Sequence, residues 1–343
     1  RDPNVCGTPE IPDCKLDYIQ VETTYAGRNH PNKIKSIREL ISEINATQGK
    51  TLIPVFSQQR LQEIAWILIE EMRRAMPNNK KIFAEVKEIK ERNKEIQTYL
   101  LENPKISTEE RELSENTIKM GEIKMKRLQK EIVWYDIIID SPLGAKVTDV
   151  YIEKAYQIYH SLTPEYQVEI FGKEILQRIQ GDEYNDLYSE ERFEKKEVIL
   201  SSWGMVEWWA IMNHLKHIIE HDIHKRIFVG YTPMNGIAWA IKRQAQIRLP
   251  SSENKAQVYC QVADISGFSS HIDHDELIHD YLWNLNLARG ADIVLTHGTQ
   301  WREKLVPDIQ KYVIGMRRSI QILIPELWDT YECKWNKSQW KIE

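Results

Sequence analysis

No stretch of this 343-residue chain approaches the roughly 20 consecutive apolar residues that a bilayer-spanning helix requires, and no secretory hydrophobic core opens it. The expectation is a soluble, cytoplasmic protein with no membrane partner. The four cysteines, Cys6, Cys14, Cys260 and Cys333, form no Cys-x-x-Cys pair and no zinc-finger spacing. They read as free thiols in a reducing compartment rather than as ligands. An excess of basic charge is also missing: the formal net charge is −5 at pH 7, so any surface for a nucleic acid must be local. Gly49-Lys50-Thr51 ends like a phosphate-binding loop, but no glycine stands five residues before Gly49 and the tripeptide precedes its strand, so that reading is discarded.

What is present is a globular pattern. Eleven Trp and 42% hydrophobic residues exclude wholesale disorder, and the length favours about two domains. Leu16 to Val21 alternates as a half-buried strand does and ends at Glu22. Short β-branched runs then alternate with helical patterns: a helix over 33–44, a strand over 51–56, a helix from Arg60 to about Met72, a strand over 135–139, a helix over 145–160, a strand over 197–200, a helix over 206–221 and a strand over 226–229. Repeated strand–helix alternation predicts an α/β fold, a mostly parallel sheet with helices on both faces. From residue 257 onward come strands over 258–262, 293–295 and 320–324, with helices over 275–287 and 301–316.

Between residues 78 and 130 the alternation stops. Ile82, Val86, Ile89, Ile96 and Leu100 form a narrow apolar seam on a background of Lys and Glu, Asn103-Pro104 ends that helix, and Ser107 with Glu110 reads as a capping box opening another. The prediction is an inserted helical hairpin, read first as a solvated insertion packing on itself, next as a docking surface for a protein partner or a second copy of the chain, and last as a nucleic-acid arm.

Seven short blocks carry a family resemblance. In order they are Glu22-Thr-Thr-Tyr25-Ala-Gly-Arg28 with His30; Thr51-Leu-Ile-Pro54-Val-Phe56 with Arg60, Gln62 and Glu63; Asp140-Ser-Pro-Leu143; Ser201-Ser202-Trp-Gly204-Met205; Gly230-Tyr231; Gly267-Phe-Ser-Ser-His271-Ile-Asp273; and His297-Gly298. Their order resembles that of the β-CASP branch of the metallo-β-lactamase superfamily, the group of ribonuclease J and the mRNA 3′-end endonucleases. The resemblance implies a metallo-β-lactamase αββα domain formed by residues 1–30 and 256–343, with a β-CASP cap, residues 31–255, inserted between them. It departs from the family pattern where Ala26 replaces a glycine, Thr299 replaces a glutamate and Trp208-Trp209 replace small residues. The family's His-x-His-x-Asp-His metal motif belongs before Glu22 and is not in this sequence, so an upstream segment carrying it is expected.

The resemblance further implies a ribonuclease with two zinc ions that hydrolyses RNA phosphodiester bonds, as an endonuclease and also a 5′-exonuclease. His297 is then a metal ligand and Asp2 the candidate bridging aspartate. His271 is the proton donor to the leaving oxygen, oriented by Glu22. Tyr25, Ser202, Gly204 and Tyr231 are expected to touch single-stranded RNA. His297 favours RNA over DNA, because DNA-processing members carry valine there. The alternative reading is a non-catalytic scaffold completed by a partner. Ser269 to His274 also matches His-x-His-x-Asp-His at all but its first position, but its place after the cap points to the later motif, which leaves His274 as an exposed helix-start residue. His214, His217, His221 and His224 share one helical face, and the resemblance puts them on the surface of a cap helix rather than around a metal.

Overall fold

The computed structural model describes residues 11–153, 176–179, 183–202, 209–230, 232, 236–249, 255–298, 302–315 and 320–326, with two short strands at 331–332 and 341–342. Its centre is a six-stranded sheet in the order β4-β3-β5-β2-β6-β9, every neighbouring pair parallel. The strands are β2 (Thr51–Val55), β3 (Asp136–Asp140), β4 (Leu176–Arg178), β5 (Glu197–Ser202), β6 (Lys225–Phe228) and β9 (Gln261–Asp264), while β7 (Ile247–Arg248) and β8 (Lys255–Ala256) form a separate antiparallel pair. The α/β class expected from the alternation is what forms.

Strand period sets the two cores. Ile53, Val55, Ile137, Ile139, Val198, Leu200 and Ile227 face a layer made with α1 (Lys33–Ala46) and the start of α2 (Arg60–Glu102). Their neighbours Leu52, Ile138, Ile199 and Phe228 face the opposite layer, with α7 (Trp209–Ile218) and α8 (Ile237–Lys242). Burial on both faces is why these strands are continuous Ile/Val/Leu runs rather than alternating ones. Between them in sequence lie α3 (Thr108–Glu131), α4 (Pro142–Glu153) and the short helices α5 (Glu183–Leu187) and α6 (Glu190–Phe193).

A smaller parallel sheet, β1-β10-β11, joins β1 (Leu16–Glu22), β10 (Leu287–Thr296) and β11 (Gln321–Leu323), with α9 (Val306–Gly315) packed near it. β10 is longer than the run over 293–295 predicts. The predicted helix over 275–287 is instead a π-helical turn, Glu276–Tyr281, followed by a 3-10 turn, Leu282–Asn284. The strand expected over 258–262 is shifted to Gln261–Asp264. Val258 and Cys260 are buried beside α7, where the N–H groups of Tyr259 and Cys260 donate to the Ile219 carbonyl at 2.8 and 2.9 Å. Because β9 pairs with β6, the six-stranded sheet extends past residue 255.

The helix read as ending near Met72 runs on as one 43-residue helix through Pro77. A proline removes one N–H and crowds the carbonyl four residues back, but the flanking packing carries the helix through. Ile64, Leu68 and Met72 lie in the main core, and the Asn79 side chain holds both the N–H and the C=O of Val133, at 3.2 and 2.9 Å. Beyond it Ile82, Val86 and Ile89 pack on Leu128 of α3, so the predicted hairpin is present. The Ser107 hydroxyl accepts the Glu110 N–H at 3.2 Å as a cap should, but the Glu110 carboxylate accepts the Tyr99 hydroxyl at 2.8 Å and ties the helices across their turn.

At the amino edge of the large sheet, Lys50 and Glu197 form a fully buried ion pair at 2.6 Å. Burial pulls the Lys50 ammonium below its ordinary value while Glu197 opposes the shift. Next to it, His224 Nδ1 accepts the Lys50 N–H at 3.0 Å, and burial, with Lys50 nearby, pushes this imidazole down to about 4. In the middle of the sheet Arg226 is wholly buried, its guanidinium 4.5 Å from the Phe228 ring and without a hydrogen-bond partner among the described residues.

Candidate active site

Three segments distant in sequence meet at the carboxyl ends of strands. β1 and β10 lie parallel and in register with Glu22 opposite Thr296, so Glu22, the last residue of β1, and His297, the first after β10, emerge side by side. The loop after β9 brings His271 to the same place. The ligand atoms of Glu22, His271 and His297 all lie within 4.8 Å of one another. Carboxyl ends of parallel strands are where α/β folds expose backbone and polar side chains together, and binding crevices form there.

Local backbone chemistry sets each side chain. Glu22 Oε2 accepts the N–H of Thr24 at 3.0 Å and Oε1 that of Ile272 at 3.2 Å, which leaves Oε2 facing His271 Nδ1 at 3.2 Å and His297 Nδ1 at 3.9 Å. His297 has φ +48°, a left-handed conformation uncommon outside glycine. Its turn is pinned by the Thr24 hydroxyl, which donates to the His297 carbonyl at 3.0 Å, and by the close approach of Gly298, where a Cβ would stand 2.3 Å from Thr23 Oγ1. His271 is held from behind by His30, whose Nε2 donates to the His271 carbonyl at 2.7 Å. The Tyr25 ring stands between these imidazoles, its centroid 4.1 Å from His30 and 6.5 Å from His271. Arg60, paired with Glu63, reaches Ser270 at 3.1 Å and braces the same loop from the start of α2.

Of the residues predicted for the site, Glu22, His271 and His297 come together with Tyr25 beside them, while Ser202 ends β5 on the carboxyl edge of the large sheet, outside this cluster. Asp2, Gly204 and Tyr231 lie outside the described residues. Thr24, His30 and Arg60 act through backbone and hydroxyl contacts. All three fall within the resemblance blocks, but nothing in their spacing announces the contacts.

Two histidine readings need correction. His274 is not an exposed helix-start residue: its side chain is 16% exposed, Nδ1 accepts the Gly27 N–H at 3.1 Å and Nε2 lies 3.2 Å from Asp308. Asp273 caps the Glu276 N–H at 2.9 Å and accepts the His30 N–H at 3.1 Å, so neither residue belongs to the cluster that a Ser269-to-His274 metal motif would require. Nor do the four histidines 214–224 share a surface. His214 and His224 are fully buried, whereas His217 and His221 are exposed. His214 falls on the stripe of Ile211, Leu215 and Ile218 that α7 turns toward the sheet, which is why it is buried. There its Nε2 meets Asp140 Oδ2 at 3.0 Å and its Nδ1 meets the Tyr188 hydroxyl at 2.7 Å, while the Tyr184 hydroxyl donates to the same carboxylate. Burial, with Asp140 adding to it, pushes the Tyr184 hydroxyl well above its ordinary value, so it remains a donor.

A large parallel sheet covered by helices, with a carboxylate and two imidazoles gathered at strand ends, defines an α/β protein with a polar cluster at its sheet edge. Residues 118–241 match the Beta-Casp domain. The chain is 24% identical over 316 residues to Ribonuclease TTHA0252 of Thermus thermophilus, covering 89% of this chain and 56% of that protein. It is 22% identical over 298 residues to Transcription termination factor FttA of Methanothermobacter thermautotrophicus, covering 84% of this chain and 38% of that one. It therefore spans about half or less of the length of the curated relatives it matches. The match identifies a Beta-Casp domain within the chain, and both similarities extend beyond it. No helix among the described residues is long and apolar enough to cross a membrane.

Proposed function

We propose that this chain, completed by an upstream segment that carries His-x-His-x-Asp-His, forms a zinc-dependent ribonuclease that hydrolyses phosphodiester bonds of single-stranded RNA, endonucleolytically and also from 5′ ends. The observation that carries the reading is the convergence of Glu22, His271 and His297 from three segments onto one point at the strand ends. The likeness to a protein named a ribonuclease supports the substrate class.

A carboxylate and two imidazoles within 4.8 Å form a donor set suited to zinc, and His297 is the residue that would hold it, with further ligands from outside the described residues. Zinc, when bound, supplies Lewis acidity that polarises the phosphodiester and eases ionisation of water. The chain's own residues manage the proton. Both Glu22 oxygens are fixed by backbone N–H groups, so the carboxylate can receive His271 Nδ1–H in one orientation only. His271 Nε2 is then the atom that carries a proton to the leaving oxygen. His30 fixes the main chain of His271 so that this direction is kept.

The test is zinc content per chain by elemental analysis together with cleavage of end-labelled single-stranded RNA by the wild type and His271→Ala. The expected result is cleavage by the wild type and its loss, with zinc retained, in the variant. Cleavage unchanged by the substitution would remove His271 from the chemistry, and a chain that neither holds zinc nor cleaves would be a scaffold.

A further inference from the structure

The outer face of α2 beyond Pro77 sorts its charges by side. At 3.6 residues per turn, the buried seam of Ile82, Val86, Ile89 and Asn93 defines the face turned to α3. One flank of that seam follows the spacing three, four, three, four through Lys80, Phe83, Lys87, Lys90 and Lys94, then Gln97 and Leu101. All are exposed or largely so, Phe83 at 51%, and no acidic residue stands among them. The other flank runs through Lys81, Glu85, Glu88, Arg92, Glu95, Tyr99 and Glu102 and is acidic on balance. There Glu85 is neutralised by Lys124 of α3 at 2.5 Å, while among the described residues the basic flank has one loose ion pair, Lys87 to Glu91 at 3.8 Å.

A merely solvated helix mixes both signs around its surface. Here four lysines form a row about 21 Å long from Lys80 to Lys94, at 1.5 Å per residue. An exposed aromatic ring lies within it. Cations that follow a backbone beside a ring on which a base can stack are the elements of sequence-tolerant single-strand binding. We propose that this flank of the hairpin is a second RNA-binding surface, one that takes the phosphate backbone of single-stranded RNA on Lys80, Lys87, Lys90 and Lys94 with Phe83 as a stacking platform. The inference rests on the RNA reading above and deepens it. It places substrate contacts on an arm of the fold whose helix begins, at Arg60, against the loop of His271.

The experiment measures binding of the full chain to a fluorescently labelled oligouridylate of about 20 nucleotides across a range of salt concentrations, by anisotropy. Each phosphate contact on a single strand contributes about 0.7 to the slope of log affinity against log salt. The variant with Lys80, Lys87, Lys90 and Lys94 changed to glutamine should therefore lose about 2 to 3 from that slope. The corresponding four-arginine variant should keep it, Phe83→Ala should weaken binding several-fold with the slope unchanged, and Glu88→Gln with Glu95→Gln should not weaken it. Equal affinity and slope in the wild type and the glutamine variant overturn the proposal, as does the absence of RNA binding by the wild type. RNA binding unaffected, with binding of polyglutamate lost, would assign the flank to an acidic protein and overturn it too. Because the readout is salt-dependent binding, an inactive His271→Ala leaves the inference standing, and an unchanged slope leaves the cleavage reading standing.

Discussion

Glu22 and His271 are joined twice: Oε2 of the carboxylate lies 3.2 Å from the imidazole Nδ1, and Oε1 accepts the N–H of Ile272, the next residue along the loop. The carboxylate therefore orients both the ring and the main chain that carries it. Glu22→Gln cannot reproduce this, since an amide would turn its NH2 toward one of two backbone N–H donors. We expect kcat for RNA cleavage to fall by about 10²–10⁴ with KM little changed, measured in steady state on a labelled single strand. A normal kcat in the variant would remove Glu22 from the orienting role.

The turn that carries His297 depends on Gly298. A methyl group there would stand 2.3 Å from Thr23 Oγ1 and 2.8 Å from the Thr23 carbonyl oxygen. Gly298→Ala should cost about 1–3 kcal/mol as overpacking against backbone, read from denaturant unfolding, and should lower cleavage with it. Full stability in the variant would show that the two strand ends separate easily.

Asp140 collects His214 and Tyr184 in a buried site at the end of β3. Asp140→Ala leaves these groups buried without their acceptor, and the expected loss is about 3 kcal/mol. Tyr188→Phe removes one neutral hydrogen bond to His214 and should cost about 1 kcal/mol. Chemical denaturation of both variants checks the ratio, and equal losses would contradict Asp140 as the hub.

His224 sets a pH dependence. Its folded value, about 4, lies below the unfolded 6.5, so the unfolded chain takes up the proton first. Stability tied to this group is complete above pH 6.5 and is lost as the pH falls toward 4, about 3 kcal/mol in all. Unfolding free energies at pH 7 and pH 4.5 should therefore differ less in His224→Gln than in the wild type. An identical pH profile in the two proteins would contradict it.

Arg226 is a cation wholly enclosed by the sheet and its helices, and burial pulls it down to about 9, still charged at neutral pH. An aromatic face at 4.5 Å offsets only part of the cost of removing that charge from water. Arg226→Met should raise stability by about 1–4 kcal/mol, measured by denaturant. A loss of more than about 1 kcal/mol would mean that the guanidinium has a partner worth more than a neutral hydrogen bond.

Strands β3 and β5 in the middle of the large sheet were legible because burial on both faces leaves runs of Ile, Val and Leu. The strand-end positions of Glu22 and His297 were legible in the apolar runs that precede them, and the order of the motifs suggested their roles. What escaped depends on tertiary packing. Pro77 reads as a helix breaker, and only the Asn79–Val133 clamp and the core beneath show why the helix continues. His214 shares a polar spacing with three other histidines, and only its position among Ile211, Leu215 and Ile218 tells that it faces the sheet. Thr24 and His30 lie within a motif, but their side chains hold the site by donating to the backbone carbonyls of His297 and His271, partners that no spacing marks.

The Thr24 side chain meets His297 across 273 positions of sequence. Closing a loop of that length costs about 5 kcal/mol of chain entropy, and contacts so distant form late. The large sheet needs only residues 51–264 and can form while β1 has nothing to pair with. On a ribosome Glu22 emerges long before the strand that fixes its neighbour, which begins at Leu287. A nascent chain interrupted between residue 264 and Leu287 has every strand of the large sheet and none of the pairing that sets Glu22 beside His297.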